Sequence, residues 1–402
     1  MRRWLLRVRG VALLSVLAVA AIVCSDGGGA DSNDAEAGSF WLDLLDQFPN
    51  TEETRYLVVM NDYARVREQF DINRPDEDAS NDELEQYVVE LMAAEGEAGK
   101  TEARGLAPSR LTSLNELPWD FDAWEQLVGF SFLDMDQDAE ASAPDGMYYV
   151  LRGRFAAGDI GAAVRRDPEF GDALNERSYG GIAYYSQPVF RQDLEIPLQI
   201  SAGHHFITDD RYIRWSGPTE SPANIERMID IASGDQQSLA DVEAFQLLSQ
   251  GLGRLDTFTA AFAADTDRMS LSWVANVLTG IDWTEAAFEA AKRELRDEPL
   301  MLPFEAFATG GGFDDEGPYL AVVAVHADAA AAEENADRLE DRIGEGTSLL
   351  RAEPWSELID DTEISTDGRL LLAKLYTSDV GMWHDIAFSG ESLLMFDDML
   401  DE

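Results

Sequence analysis

The sequence has 402 residues, 45% apolar and 27% charged, which is material for one large or two average globular domains and excludes wholesale disorder. Asp and Glu number 78 against 30 Lys and Arg, a net charge of −48, so nucleic acid and anionic headgroups are excluded as partners bound through charge. Lysine occurs only at Lys100, Lys292 and Lys374, and the acids are spread along the whole chain. Surplus carboxylate with scarce lysine keeps a surface hydrated in concentrated salt, where self-repulsion is screened, so the acidity describes the surroundings more than an activity.

Arg2, Arg3, Arg7 and Arg9 form a basic start, and Val11 to Val23 follow as an uncharged, mostly apolar run. That run is too short to span a bilayer comfortably and fits the apolar part of a secretory signal. It ends at Cys24, the only cysteine, so an intrachain disulfide and a Cys-based zinc site are both impossible. Ser25 to Asp34 then read as a flexible polar tether. This order resembles the bacterial lipoprotein signal, in which the cysteine is lipidated on its thiol and becomes the mature N-terminus. Val23 stands where that family prefers a small residue. The resemblance implies export, lipidation of Cys24 and a membrane partner reached through acyl chains on the extracytoplasmic side. The domains expected are a signal peptide over 1–23, the lipidated cysteine and tether over 24–50, a first lobe over 51–253 and a second over 254–402.

Tyr56 to Met60 reads as a short buried strand. Leu84, Val88 and Leu91 recur at helical spacing behind the polar cap Asn81, predicting a helix to Ala94. The insert at about 95–110 lacks periodicity and reads as a mobile surface loop. An internal duplication follows. Its first copy is expected as strand Gly129–Leu133, an acidic loop, strand Met147–Phe155, a helix capped by Asp159, strand Gly181–Tyr185 and a hairpin turning at Asp209-Asp210. The second is expected as strand Phe304–Ala308, a loop at Gly310-Gly311-Gly312, strand Tyr319–Val325, a helix capped by Asp328, strand Arg369–Tyr376 and a hairpin, His384–Phe388 with Ser392–Phe396. Between the copies, Ser221-Pro222 opens one helix and Ser238-Leu239-Ala240-Asp241 another. Leu255–Ala263 reads as a strand matching the one near Tyr56, and Trp283–Leu295 as a helix. The class predicted is α+β: two similar lobes of mainly antiparallel sheet with helices packed on one face.

The stretch Tyr179 to Tyr184, then Ile213, then the Ser238-Leu239-Ala240-Asp241 turn, resembles a group of exported bacterial proteins of unknown function in which a β-rich lobe is repeated. The resemblance covers residues 129–260, rests on caps and turns, and implies a fold without an activity. The second copy is expected to stop before its own version of those helices.

Chemistry is sparse. No Gly-x-Ser-x-Gly elbow, Ser-x-x-Lys or phosphate-binding loop occurs. His204 and His205, as strand neighbours, point to opposite faces, and His326 and His384 also fall in or beside strands. The best metal candidate is calcium held by Asp134, Asp136, Asp138, Glu140 and Asp145, acids at alternate positions with loop-like offsets, although Ala139 stands where such a loop needs glycine. Tyr319 to Val325 is apolar on both faces and needs cover on both; incomplete cover would leave a cavity for a lipid or other apolar ligand. The expected function is an exported, lipid-anchored envelope protein with a non-enzymatic binding or scaffolding role. The alternatives are a carrier of an apolar ligand and a metal- or carboxylate-dependent hydrolase.

Overall fold

The computed structural model describes residues 40–76, 79–92, 129–166, 175–187, 204–280, 283–389 and 391–398. The leader, Cys24, residues 25–39 and the 95–110 insert lie outside the described residues. The last part of the expected 24–50 tether is no tether, since Trp41, Leu44, Leu45 and Phe48 are buried in the core.

Valine, alanine and phenylalanine alternate or run together in the two shortest central strands, β1 (Val58–Asp62) and β8 (Thr259–Ala263), and both are buried along their whole length. They pair antiparallel, Val58 opposite Phe262 and Met60 opposite Ala260, and form a seam. Outward from it on one side lie β2 (Met135–Ala143), β3 (Gly146–Gly153), β7 (Tyr212–Gly217), β6 (His204–Thr208), β5 (Ile182–Gln187) and β4 (Asn175–Tyr179). On the other lie β9 (Ala306–Asp314), β10 (Gly317–Val325), β12 (Leu370–Tyr376) and β11 (Asp361–Asp367). The first five strands on one side, β1-β2-β3-β7-β6, mirror β8-β9-β10-β12-β11 on the other, every pair antiparallel. The duplication therefore takes the form of two similar halves joined edge to edge in one sheet.

The helices are α1 (Glu52–Tyr56), α2 (Tyr63–Gln69), α3 (Asn81–Met92), α4 (Ala157–Arg166), α5 (Ala223–Ala232), α6 (Glu243–Leu255), α7 (Leu271–Thr279), α8 (Glu285–Leu295), α9 (Ala329–Glu345), α10 (Trp355–Leu358) and α11 (Met382–Ser389). They cover both faces of the sheet rather than one. On the first face α5 and α6 share a core with Val58, Val150 and Val323. Phe245, Leu248 and Leu252 of α6 are fully buried there, each contributing about 2 kcal/mol of apolar burial. Gly251 lets that helix close on β10, since a Cβ would come 2.6 Å from Val323 Cγ1. On the second face α9 contributes Leu339 and Ile343, and α11 contributes Trp383 and Ile386, against Leu320, Val322 and Ala324. The first half is covered there by Val66, Leu84, Val88 and Ile160. β10 thus receives the two-sided cover its sequence requires, and Tyr319 to Val325 are all 0% exposed.

Several expectations change in physical detail. The predicted closing hairpin over 384–396 is helix α11 followed by a 3-10 turn, Ser392–Leu394, because Met382, Trp383, Ile386 and Ala387 form a buried helical stripe. The counterpart of the β6–β7 hairpin is β11–β12, and the second copy does continue past its sheet, as the first does with α5 and the turn Leu239–Asp241. The Gly310-Gly311-Gly312 loop is the middle of β9, paired with Ala321, Leu320 and Tyr319. Gly129–Leu133 is not a strand; a 3-10 turn at Phe132–Asp134 precedes β2. Leu255 ends α6 instead of opening β8, with Asp256 in the left-handed region at φ 60°. Two caps hold, with Asp328 Oδ1 accepting from Ala331 N at 2.9 Å and Asp241 Oδ2 from Ser238 N at 2.9 Å. Asp159, by contrast, is the third residue of α4, and Asn81 is the first of α3, where Ser80 Oγ accepts from Glu83 N at 3.4 Å.

Candidate functional site

The five residues expected to bind calcium lie on one hairpin but do not converge. Asp136, Asp138 and Glu140 are on β2, which is extended, so Asp136 and Glu140 are separated by about 13 Å along the strand. Asp134 sits in the preceding turn and its Oδ2 accepts from Ser131 N at 3.0 Å. Asp145 is exposed at the β2–β3 turn, where its carbonyl accepts from Asn224 Nδ2 at 2.9 Å. Among the described residues no group of three or more His, Cys, Asp or Glu side chains could hold a metal ion.

Two of these acids hold structure together, one of them across the seam. Asp138 is 2% exposed; its Oδ1 accepts from Asn61 Nδ2 at 2.8 Å and its Oδ2 from the Tyr63 hydroxyl at 2.9 Å. Thr259 of β8 donates to Asn61 Oδ1 at 3.0 Å, so the chain of hydrogen bonds crosses from β2 through β1 to β8. Asp136 occupies the position where the β2–β3 register shifts, and its Oδ1 receives Arg67 at 2.5 Å and also Arg74. On the opposite side of β1, Asp62 caps α2 through Arg65 N at 3.0 Å and accepts from Gln137 Nε2 at 2.7 Å. Burial pushes the Asp62 carboxyl above the usual carboxylate range despite those donors.

The histidines are likewise engaged in structure. Trp215 Nε1 donates to His204 Nδ1 at 2.5 Å, and burial, with His205 beside it, lowers His204 to about 3. His205 Nδ1 meets Ser186 Oγ at 2.9 Å and its Nε2 lies 3.1 Å from the Thr219 carbonyl. A carbonyl only accepts, so Nε2 carries the proton and Nδ1 accepts from Ser186. This is a serine–histidine pair, yet Ser186 and His205 are both 0% exposed, and among the described residues the charge acting on His205 is Arg177. Asp209, at the turn between β6 and β7, accepts from Arg214 Nη1 at 2.8 Å and from its own turn. His326 accepts from Asn335 Nδ2 at 2.7 Å, and His384 stacks on Phe388 with ring centroids 4.2 Å apart.

An open groove of about 450 Å³ lies over the ends of β9 and β12. Lys374 Nζ sits 2.5 Å from Asp314 Oδ2, and the Tyr376 hydroxyl donates to the same oxygen at 3.1 Å. Burial works to raise the Asp314 carboxyl, but the Lys374 ammonium prevails and holds it below the usual range. The same carboxylate, with burial, raises Tyr376. The result is a closed ion pair, a geometry that braces the β9–β10–β12 ladder. Neither this group nor Arg67 and Arg74 was singled out by local sequence spacing.

The surface carries one other concentration. The exposed large apolar residues among those described are Tyr56, Val277, Leu278, Trp283, Leu350 and Phe388. Val277 and Leu278 lie at the C-terminal end of α7, and Trp283 lies just before α8. The Arg268 guanidinium lies 3.8 Å over the Tyr56 ring and donates to the Ala387 carbonyl, beside Phe388. Leu349, adjacent to Leu350, packs against the Leu271–Val274 cluster at the base of α7, which packs on α8. No helix among the described residues is long and apolar enough to cross a membrane.

No family model matches the chain, and no curated protein matches it. Among solved structures it is similar to three crystal forms of TP0453. Form I shares 9% identity at a TM-score of 0.34, covering 86% of this chain and 96% of that one. Form III shares 9% at 0.32, covering 86% and 97%. Form IV shares 10% at 0.37, covering 87% and 99%. At such scores the likeness carries no argument about fold or function.

Proposed function

We propose that this chain is an exported envelope protein, held at the extracytoplasmic face of a membrane by acyl chains on Cys24, whose α+β body serves as a non-enzymatic binding or scaffolding surface. The observation that supports this reading is the order of its first 34 residues: four arginines, an uncharged apolar run, the only cysteine of the chain, then a Gly/Ser/Asp tether. Thiol acylation needs a cysteine, and the sequence has a single one, Cys24, directly after the apolar run. More than one acyl chain gives a stable hold, because each buried methylene adds about 0.8 kcal/mol. Mass spectrometry of the mature protein from its native membrane tests it: the expected N-terminal fragment begins at an acylated Cys24. An unmodified N-terminus elsewhere overturns the anchor.

The reading includes no resident cofactor. Calcium at β2 would have to draw Asp136 away from Arg67 and Arg74. Calorimetric titration with calcium is expected to give the same heat for the wild type and Asp136→Ala. The variant instead loses about 1 kcal/mol of stability, two partly exposed ion pairs' worth, read as a lower urea midpoint.

A further inference from the structure

In a chain where 27% of residues are charged, Met269 to Ile281 carry no charge at all, thirteen residues that include all of α7. The inner side of α7 is satisfied: Leu271, Val274 and Ala275 are buried with Leu295 of α8 and Met395. Its outer end is not. Val277 is 45% exposed and Leu278 50%, and Trp283, across the turn to α8, is 51% exposed. Among the described residues of this acidic chain, three of the six exposed large apolar side chains lie at this one end, and a concentration of this kind marks a contact with another phase or molecule.

The composition argues for one occupant. A protein partner of ordinary polarity would be met by a rim of charge along the segment, whereas an uncharged helix end carrying Val277 and Leu278, with Trp283 following just beyond Asp282, matches the acyl–headgroup boundary, where Trp prefers to lie. Charge complementarity points the same way: thirteen neutral residues let this end approach a zwitterionic surface that the rest of a −48 chain approaches poorly. The length of chain ahead of the body permits it. Phe40 lies beneath Arg65, which pairs with Asp256 just before β8, so the tether joins the body at the end of β8 away from α7. β8 and α7 end to end span about 30 Å. The segment from Cys24 to Phe40 reaches about 50 Å when extended.

We infer that the α7–α8 end is a second membrane contact, a shallow apolar tip that enters the interface of a zwitterionic bilayer and sets which way the tethered body faces. The inference rests on the membrane-anchored reading above, and its test is made independent of Cys24. Because the chain has a single cysteine, Cys24→Ser leaves a thiol-free background into which Leu278→Cys, or Glu340→Cys on the exposed side of α9, can be placed. Each full-length protein is labelled with an environment-sensitive fluorophore and reconstituted on phosphatidylcholine vesicles by detergent removal. The label at position 278 is expected to shift to the blue with a several-fold rise in emission, and to be quenched by brominated acyl chains; the label at 340 stays in water. Adding Val277→Asp and Trp283→Asp should abolish the response at 278. Equal, water-like emission at the two positions overturns the inference, as does a response at 278 that appears with rising protein concentration in the absence of lipid, which would make the tip an interface between copies. An unacylated Cys24 in the native protein would refute the anchor while leaving this result intact.

Discussion

Gly310→Ala is expected to destabilise the protein by about 3 kcal/mol, at the upper end of the usual cost of overpacking. Gly310 sits in β9 opposite Ala260 of β8 and Ala321 of β10, and a Cβ there would run into the carbonyl oxygen of Thr259. That oxygen belongs to backbone in the central ladder, so nothing flexible can yield. Its neighbours are constrained differently. A Cβ on Gly311 would come 2.7 Å from Val380 Cγ1, and one on Gly312 would strike the Tyr319 ring, whose hydroxyl donates to the Leu255 carbonyl at the end of α6. The three glycines thus let β8, a loop on the second face and an aromatic ring approach one strand from three directions. Gly344→Ala in α9 is the internal contrast: no atom lies within 4 Å of its added Cβ, and it is expected to stabilise by about 0.5–1 kcal/mol through helix propensity. Urea denaturation of both variants, with unchanged slope, checks the pair. Similar midpoints for the two would mean that the β8–β9 contact is looser than its geometry states.

The glycine triplet also marks where sequence reading reaches its limit. β10 and β12 were legible because apolar runs of that length fit only buried strands, and α9 because Asp328 precedes a four-three-four stripe. Gly310-Gly311-Gly312 carries the same local signal as a turn; only Tyr319, seven residues past Gly312, turns it into strand. β4 and β11 escaped notice for another reason. They are polar edge strands, Asn175–Tyr179 and Asp361–Asp367, with almost every residue exposed or half-exposed, so there is no alternation to read. Exposed charge on an outer strand also discourages pairing with a second sheet. α11 was mistaken for a hairpin because aromatic and β-branched residues favour strands locally, whereas Trp383, Ile386 and Ala387 bury on one side only at helical spacing. The acids of β2 show the limit at the site itself. Alternate carboxylates in a row look like ligands, and their partners, Arg67, Arg74, Asn61 and Tyr63, are more than sixty residues away in the chain. Long-range pairing, not spacing, decides what an acid does.

The stability of the first half is expected to fall by about 2 kcal/mol on going from neutral pH to pH 5, through His204 alone. The ring is 5% exposed, receives Trp215 Nε1 on Nδ1 and lies where Gly217 leaves room for it. Its folded value is about 3 against an ordinary 6.5, so between those limits the unfolded chain binds a proton that the folded one refuses. Stability is therefore complete above about pH 6.5 and is lost progressively as pH falls toward 3. His205 and His326, also lowered mainly by burial, act in the same direction. Asp62 acts in the other: burial raises it, so acid lets the folded state take up its proton and recovers the cost of burying the charge. Neutralising carboxylates in a −48 chain opposes the histidines as well, by relieving self-repulsion. The net curve mixes these effects, and the difference between two curves separates them. His204→Gln keeps an amide oxygen to accept from Trp215 and cannot titrate. Urea midpoints of the wild type and this variant, measured from pH 7.5 to 5 at fixed salt, should diverge by about 2 kcal/mol at the acid end in favour of the variant's flatter slope. Parallel curves would show that His204 is protonated in the folded protein and that the Trp215 contact does not hold it neutral.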